Sequence, residues 1–130
     1  MEYKKDFDAW NSKKKIIDQK DVSGRVFFHE RQIWWGSLGV NIGFEQDGKN
    51  EEFEIPLLII KKFNRDIVLV VPLTTVGKDN EFHHKLKGSG SFAILSQIRL
   101  ISTKRMLRLV EKISGNEFRS IVNKIRSLLP

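Results

Sequence analysis

The fold is decided by residues 53–74, which read FEIPLLIIKKFNRDIVLVVPLT. Two apolar runs, at 53–63 and 66–73, are rich in the β-branched residues that favour strands, and Asn64-Arg65 gives a tight connection between them. The pattern predicts a β-hairpin. Pro56 has no backbone N–H to donate to a neighbouring strand. Its presence therefore predicts that the strand at 53–63 lies at a sheet edge or carries a bulge.

Shorter segments around this hairpin extend the predicted sheet. Residues 26–38 form a first strand region, and residues 39–48, with three glycines, form a loop. A short strand is expected at 82–86 and a longer one at 91–100, whereas the basic stretch at 102–111 is expected to form one or two helical turns.

Helical periodicity marks both ends of the chain. Residues 4–20 carry apolar side chains at helical spacing, and a second helix is predicted over 114–129, where Ser114 and Glu117 form a capping box. The sequence therefore predicts a β-rich α+β protein, with a small curled antiparallel barrel and a packed C-terminal helix. We expect a helical extension at 1–25 and a barrel domain with its C-terminal helix at 26–130.

Composition narrows the function classes. The 130 residues carry a net charge of +7, and residues 99–126 hold eight basic against two acidic side chains. This excess is read either as a solvated helix face or as a nucleic-acid footprint. The chain has no Cys and three His, which disfavours a zinc enzyme. Its apolar runs are too short to span a bilayer and its N-terminus is charged, so we expect a cytoplasmic protein with no membrane partner.

Five short motifs in order add a family resemblance. They are IWWGSLGVNIGFEQDG at 33–48, VPLT at 71–74, QIRLI at 97–101, KRML at 104–107 and the terminal helix at 114–129. Together they resemble the PemK/MazF family of toxin endoribonucleases over residues 30–129. The resemblance implies an SH3-like barrel, a homodimer with an RNA groove at the dimer face, and a cognate antitoxin as partner. It also implies cleavage of single-stranded RNA through 2′-hydroxyl attack, with no metal or other cofactor.

The resemblance also suggests site residues. Thr74 and Glu45 match family positions with catalytic roles, and we expect RNA contacts from Gln46, Arg31, Lys61, His83 and Arg99. The family's Arg-Pro is not kept, because Ile55 precedes Pro56. Losing a guanidinium aimed at a phosphate costs on the order of 10²- to 10³-fold in rate.

The missing guanidinium leaves several readings open. Arg31, Lys61, His29 or His83 are candidates for a substitute cation. The first reading is an attenuated endoribonuclease. The alternative is a non-catalytic barrel that binds RNA or an antitoxin peptide, and a gyrase-directed toxin ranks last because the matched motifs belong to the ribonuclease branch.

Overall fold

The computed structural model describes residues 4–21, 27–77 and 80–130. Within these ranges the chain forms two helices and seven strands. The helices are α1 (Phe7–Asp18) and α2 (Gly115–Ser127), and the strands are β1 (Gln32–Ser37), β2 (Glu54–Lys62), β3 (Ile67–Thr74), β4 (His83–Lys85), β5 (Phe92–Ile94), β6 (Arg99–Ser102) and β7 (Met106–Lys112). Two 3-10 turns, Leu95–Gln97 and Thr103–Arg105, precede β6 and β7.

The strands form one antiparallel sheet in the order β4-β5-β3-β2-β1-β7, with β6 also paired to β3. The predicted hairpin is β2–β3, and its turn is closed by Asn64, whose side-chain oxygen accepts the N–H groups of Asp66 and Ile67 at 2.8 and 3.0 Å. The first half of β3 pairs with β6, and its last two residues pair with β5.

The sheet is curled but not closed over the described residues. In a flat sheet β6 and β7 would lie about 19 Å apart, because β3, β2 and β1 separate them. The 3-10 turn between β6 and β7 reaches about 14 Å at most, so the sheet must bend to bring its ends together. The predicted fold class is thereby confirmed, with the qualification that β6 and β7 are joined by chain rather than by a ladder.

The curled sheet buries apolar side chains on both faces. On the inner face, Ile55, Leu57 and Ile59 of β2 pack in a cluster of ten buried residues. The outer face carries Leu58 and is covered by α2 through Ile121 and Ile125. Successive side chains of β2 point to opposite faces of the sheet, and both faces are buried, as is typical of a central strand covered on both sides.

The C-terminal helix begins at the predicted cap. The Ser114 hydroxyl accepts the N–H of Glu117 at 3.2 Å, as a capping box requires. The Glu117 carboxylate, however, accepts the N–H of Lys87 at 2.9 Å and lies 3.3 Å from His84 Nε2. It therefore ties α2 to the β4 region.

Two sequence predictions are wrong in detail, and a third holds in one of its two alternatives. Residues 102–111 are not mainly helical, because Met106–Lys112 is a strand that pairs with β1. The single strand expected at 91–100 is divided by the turn at Leu95–Gln97 into β5 and β6, which pair with different parts of β3. Of the two alternatives predicted for the strand that contains Pro56, the edge is wrong, since β2 lies between β1 and β3, whereas a bulge is present where the register with β3 shifts between Ile59 and Lys61.

The N-terminal helix packs against the sheet domain. Trp10 and Ile17 form a small buried cluster with Val40, and the Trp10 ring lies against Gly39. Gly39 has a φ of +85°, and a Cβ there would lie 2.0 Å from Trp10 Cε2. Only glycine fits at this contact. The predicted boundary between residues 25 and 26 lies outside the described residues.

Candidate active site

An open pocket of about 610 Å³ lies where β3 ends and β2 begins. Strand ends and the adjoining loops supply its lining. The lining residues are Trp35, Gln46, Lys49, Asn50, Glu54, Ile55, Pro56, Leu73, Thr74, Thr75 and Ser91. We call it the Thr74 pocket. It contains Thr74, Gln46 and Ile55, which come from three separate sequence motifs.

Ile55 and Thr74 both lie just beyond the paired part of β2 and β3. The β2–β3 ladder ends at the pair Leu57–Pro72, and each of the two residues is two positions farther along its strand. Both line the Thr74 pocket. Ile55 is 5% exposed and belongs to the inner core cluster, whereas Thr74 is half-buried. Ile55 therefore contributes an apolar part of the wall of the pocket that Thr74 also lines.

The turn after β3 orients the Thr74 hydroxyl. Its oxygen accepts the N–H of Val76 at 3.2 Å, and the Val76 carbonyl lies 3.4 Å away. Such a side-chain turn is typical of threonine at a strand end. Because the N–H bond fixes the oxygen while the hydroxyl proton has only a long internal acceptor, that proton is available to a ligand oxygen.

Two of the motifs meet through Gln97. Its side-chain oxygen accepts the N–H of Gln46 at 2.6 Å, and its amide nitrogen donates to the carbonyl of Phe44 at 3.1 Å. Gln97 thus holds both sides of Glu45 and fixes the loop that presents Gln46 to the Thr74 pocket. The sequence places Gln97 within a motif, but the motif alone does not indicate this positioning role.

Lys5 holds the same loop from the other side. Its ammonium group donates to the carbonyls of Asn41 and of Gly43, the latter at 2.9 Å, and lies 3.4 Å from the Asp47 carboxylate. Asp47 in turn accepts the N–H of Asn41 at 2.6 Å. The N-terminal extension therefore braces the glycine loop that carries Glu45 and Gln46.

A guanidinium group that the sequence analysis missed lies beside the Thr74 pocket. Arg108 of β7 donates twice to the Glu54 carboxylate, at 2.9 and 3.1 Å, and its guanidinium carbon lies 5.0 Å from the centre of the Trp35 ring. Both Glu54 and Trp35 line the pocket. The strand register explains the placement, because Arg108 pairs with Trp35. The two partners are 54 residues apart in sequence, so only the pairing of β7 with β1 brings them together.

This ion pair shifts the titration of both groups. The hydrogen bonds from Arg108 hold the pKa of Glu54 below its usual value, although burial of the carboxylate opposes the shift. The Glu54 hydrogen bonds raise the pKa of Arg108 in return. Glu54 is therefore ionised at neutral pH, and one negative charge borders the pocket.

The predicted site residues divide between the Thr74 pocket and other places. Gln46 and Thr74 line the pocket, whereas Glu45 does not. Glu45 instead lies with Arg99 in two neighbouring pockets, of which one is also lined by Gln46. Glu45 and Arg99 are therefore beside the Thr74 pocket, not in it.

The candidate substitute cations lie elsewhere. The Arg31 side chain donates from Nε to the Ile113 carbonyl at 3.0 Å, and the Arg31 backbone N–H donates to the Ile59 carbonyl at 3.0 Å, near the far end of β2. Lys61 is also at that end, and its ammonium group lies 5.8 Å from the Phe63 ring. Among the residues that the structure describes, His29, His83 and these two cations do not line the Thr74 pocket, whereas Lys49 does.

Two further features concern the described residues only. No three His, Asp or Glu side chains among them are grouped as metal ligands would be. No helix in the described part of the chain has the length and apolar character needed to cross a membrane.

Comparisons with known proteins agree with the fold. Residues 29–129 match a family profile described as a PemK-like, MazF-like toxin of type II toxin-antitoxin system. The structure is similar to that of MazF (Form-I) from Deinococcus radiodurans, with a TM-score of 0.66 and 19% identity, covering 79% of this chain and 96% of that one.

Two mycobacterial structures show the same likeness. An endoribonuclease in complex with its cognate antitoxin from Mycobacterial species gives a TM-score of 0.61 at 14% identity, covering 78% of this chain and 95% of that one. The Mycobacterium tuberculosis toxin MazF-mt6 gives 0.56 at 15%, covering 75% and 94%. None of the curated protein sequences matches this chain.

Proposed function

Because this chain belongs to the PemK-like, MazF-like toxins of type II toxin–antitoxin systems, we propose that it is a metal-independent endoribonuclease acting on single-stranded mRNA. Endoribonuclease activity is the general function of this family. The observation that carries the proposal is that Thr74, Gln46 and the position of Ile55 line one open pocket. We further propose that the chain acts in the cytoplasm as a homodimer and binds a cognate antitoxin.

The proposed reaction is an internal transesterification. The ribose 2′-oxygen forms a bond to the neighbouring phosphorus as the bond from phosphorus to the 5′-oxygen breaks. The 2′-hydroxyl proton leaves to a base, and the departing 5′-oxygen takes up a proton. The products are a 2′,3′-cyclic phosphate and a 5′-hydroxyl, so no oxidant, reductant or external nucleophile is needed.

Residues of the Thr74 pocket have separate roles in this proposal. The Thr74 hydroxyl donates to a phosphate oxygen, because its own oxygen is already held by the Val76 N–H. Gln46 contacts the substrate from the fixed glycine loop, and Lys49 supplies positive charge from the pocket wall. Glu45 and Arg99 act on the adjoining nucleotide, since they line the next pocket rather than this one.

Arg108 is the candidate for the missing guanidinium. Its side chain is 56% exposed, and the pair with Glu54 fixes its direction beside the Thr74 pocket. The bidentate contact to Glu54 offsets most of its charge, so we expect it to stabilise a phosphorane less well than an unpaired arginine. This is the physical basis for proposing an attenuated enzyme.

One observation favours a second candidate function. Ile55 presents no charge to the Thr74 pocket, and the ionised Glu54 borders it. A pocket that has lost its arginine and carries a carboxylate disfavours the developing charge of a phosphorane. The alternative is therefore a non-catalytic barrel that binds RNA or an antitoxin peptide.

Cleavage assays with two matched variants test the proposal. Thr74→Val removes the hydroxyl and keeps the side-chain shape, and Ser120→Ala removes an exposed hydroxyl on α2 as a control. In single-stranded RNA with EDTA present, we expect Thr74→Val to lower the rate on the order of 10²-fold, because one transition-state donor is lost. Wild-type protein that binds RNA but never cleaves it would favour the non-catalytic alternative.

A further inference from the structure

A second, larger groove of about 1020 Å³ runs between α1 and the glycine loop. Helix α1 forms one wall through Phe7, Asp8, Trp10, Asn11 and Lys14. The residues of the other wall are Leu38, Val40, Asn41, Ile42, Glu45, Arg99 and Arg105. We call it the α1 groove. Helix α1 precedes the matched range of 29–129, so this wall is formed by residues outside the matched domain.

One intermediate pocket lies between the α1 groove and the Thr74 pocket. This pocket, of about 560 Å³, shares Gln46 with the Thr74 pocket. It shares Leu38, Glu45 and Arg99 with the α1 groove. A ligand strand that extends from the Thr74 pocket past Gln46 and across the intermediate pocket would reach the α1 groove.

The α1 groove has the chemistry of a nucleotide subsite. Its lining contains three cationic side chains and two carboxylates, so the positive charges are in excess. The cations are Lys14, Arg99 and Arg105, and the carboxylates are Asp8 and Glu45. Arg105 donates to the carbonyls of Ser37 and Leu38, so its guanidinium is held in a fixed position.

The positive charges of Arg99 and Arg105 are also close enough to repel each other. Burial first, and then the charge of Arg99, hold the pKa of Arg105 below its ordinary value. Like charges held in this way are stabilised by a bound anion. Beside them Phe7 is 49% exposed and offers a flat apolar surface for a base.

We infer that the α1 groove is a second subsite for single-stranded RNA, binding a phosphate and the base of a nucleotide that flanks the cleaved step. The inference rests on the proposed function, because RNA must first occupy the Thr74 pocket. RNA is favoured over an acidic peptide because an aromatic surface and paired guanidinium groups occur together, as in single-strand binding sites. A single strand long enough to cross the intermediate pocket can occupy both sites, which favours the same ligand.

Binding of oligonucleotides of two lengths tests the inference. The probes are randomised single strands of four and of eight nucleotides with 2′-O-methyl groups, which cannot be cleaved because the attacking hydroxyl is blocked. Lys14→Gln removes a cation from the groove, and Lys15→Gln is the control, since Lys15 is exposed on the same helix but does not line the groove. Phe7→Ala is matched by Ile16→Ala, which changes an exposed apolar residue outside the groove.

We expect the groove variants to weaken only the longer probe. Phe7→Ala should raise its Kd about tenfold, the typical cost of one lost stacking contact. Lys14→Gln should reduce the slope of log Kd against log salt by about 0.7, the value for one phosphate contact to a single strand. The four-nucleotide probe and both control variants should remain at wild-type values.

Other outcomes overturn the inference in distinguishable ways. If wild-type protein binds both probes and the groove variants change neither, or change them no more than the controls, the α1 groove is not an RNA subsite but the proposed function stands. Groove variants that weaken only an acidic decapeptide, or only self-association in light scattering, assign the groove to a protein contact instead. If wild-type protein binds neither probe, the proposed function fails together with the inference.

Discussion

Replacing Ile55 with arginine tests how the chain compensates for the missing guanidinium. Ile55 and Thr74 line the same pocket, so an arginine side chain at position 55 can reach the pocket with its stem still packed in the core. Glu54 is already held by two hydrogen bonds from Arg108, and it is therefore not free to capture the new charge. We expect Ile55→Arg to raise the cleavage rate.

The expected magnitudes follow from burial and charge. Removing a buried isoleucine costs about 1.5–3 kcal/mol in the free energy of unfolding, because its apolar surface is almost fully removed from water. A guanidinium that remained inside the core would lower the free energy of unfolding by several kcal/mol more. A loss of stability within the first range therefore indicates that the guanidinium reaches the pocket. The gain in rate is limited to about 10²- to 10³-fold, the usual contribution of one such donor.

The assay compares initial cleavage rates of wild-type protein, Ile55→Arg and Ile55→Met, with urea unfolding of each. Ile55→Met controls for repacking without charge, and it should leave the rate unchanged. A folded Ile55→Arg variant that cleaves no faster than Ile55→Met would refute the reasoning, because the missing guanidinium would then not limit the reaction.

Three more predictions concern the contacts around the Thr74 pocket. Arg108→Gln should return the pKa of Glu54 toward its ordinary value. In wild-type protein the lowered pKa of Glu54 stabilises the fold fully above the ordinary carboxyl pKa of about 4.3, and the effect is lost as pH falls from there through the lowered pKa of the folded state. In urea unfolding, the difference in stability between wild type and variant should therefore be larger at pH 7 than at pH 3; equal differences at both pH values would contradict this. Gln97→Ala should loosen the glycine loop, raise the KM for RNA and expose the loop to proteolysis, whereas an unchanged KM would exclude its positioning role. Gly39→Ala should destabilise the protein by more than about 1 kcal/mol in thermal unfolding, because the left-handed backbone is strained and the Trp10 ring occupies the space; an unchanged Tm would show that α1 moves away freely.

Local patterns in the sequence predicted the elements that depend on local interactions. The β2–β3 hairpin, the glycine loop and α2 with its Ser114 cap all follow from nearby residues, and the structure contains each of them. The strand β7 could not be recognised in the same way. Beyond the buried Met106 its side chains alternate neither in polarity nor in burial, and it is a strand because it pairs with β1 about 70 to 80 residues earlier.

The sequence also predicted only part of the candidate site. Thr74 and Gln46 come together because the glycine loop lies beside the end of β3 and the start of β2. The sequence could not show that Glu45 points to the neighbouring pockets, nor that Arg108 is held by Glu54. Both depend on contacts across the sheet that no spacing within a motif reveals.

The chemical ends of the RNA products test the central claim most directly. Single-stranded RNA is incubated with the purified chain in EDTA, and the new ends are identified by mass spectrometry. The account predicts 2′,3′-cyclic phosphate and 5′-hydroxyl ends, formed by wild-type protein and lost in Thr74→Val. Products with 3′-hydroxyl and 5′-phosphate ends, or cleavage that occurs only when magnesium is added, would contradict it.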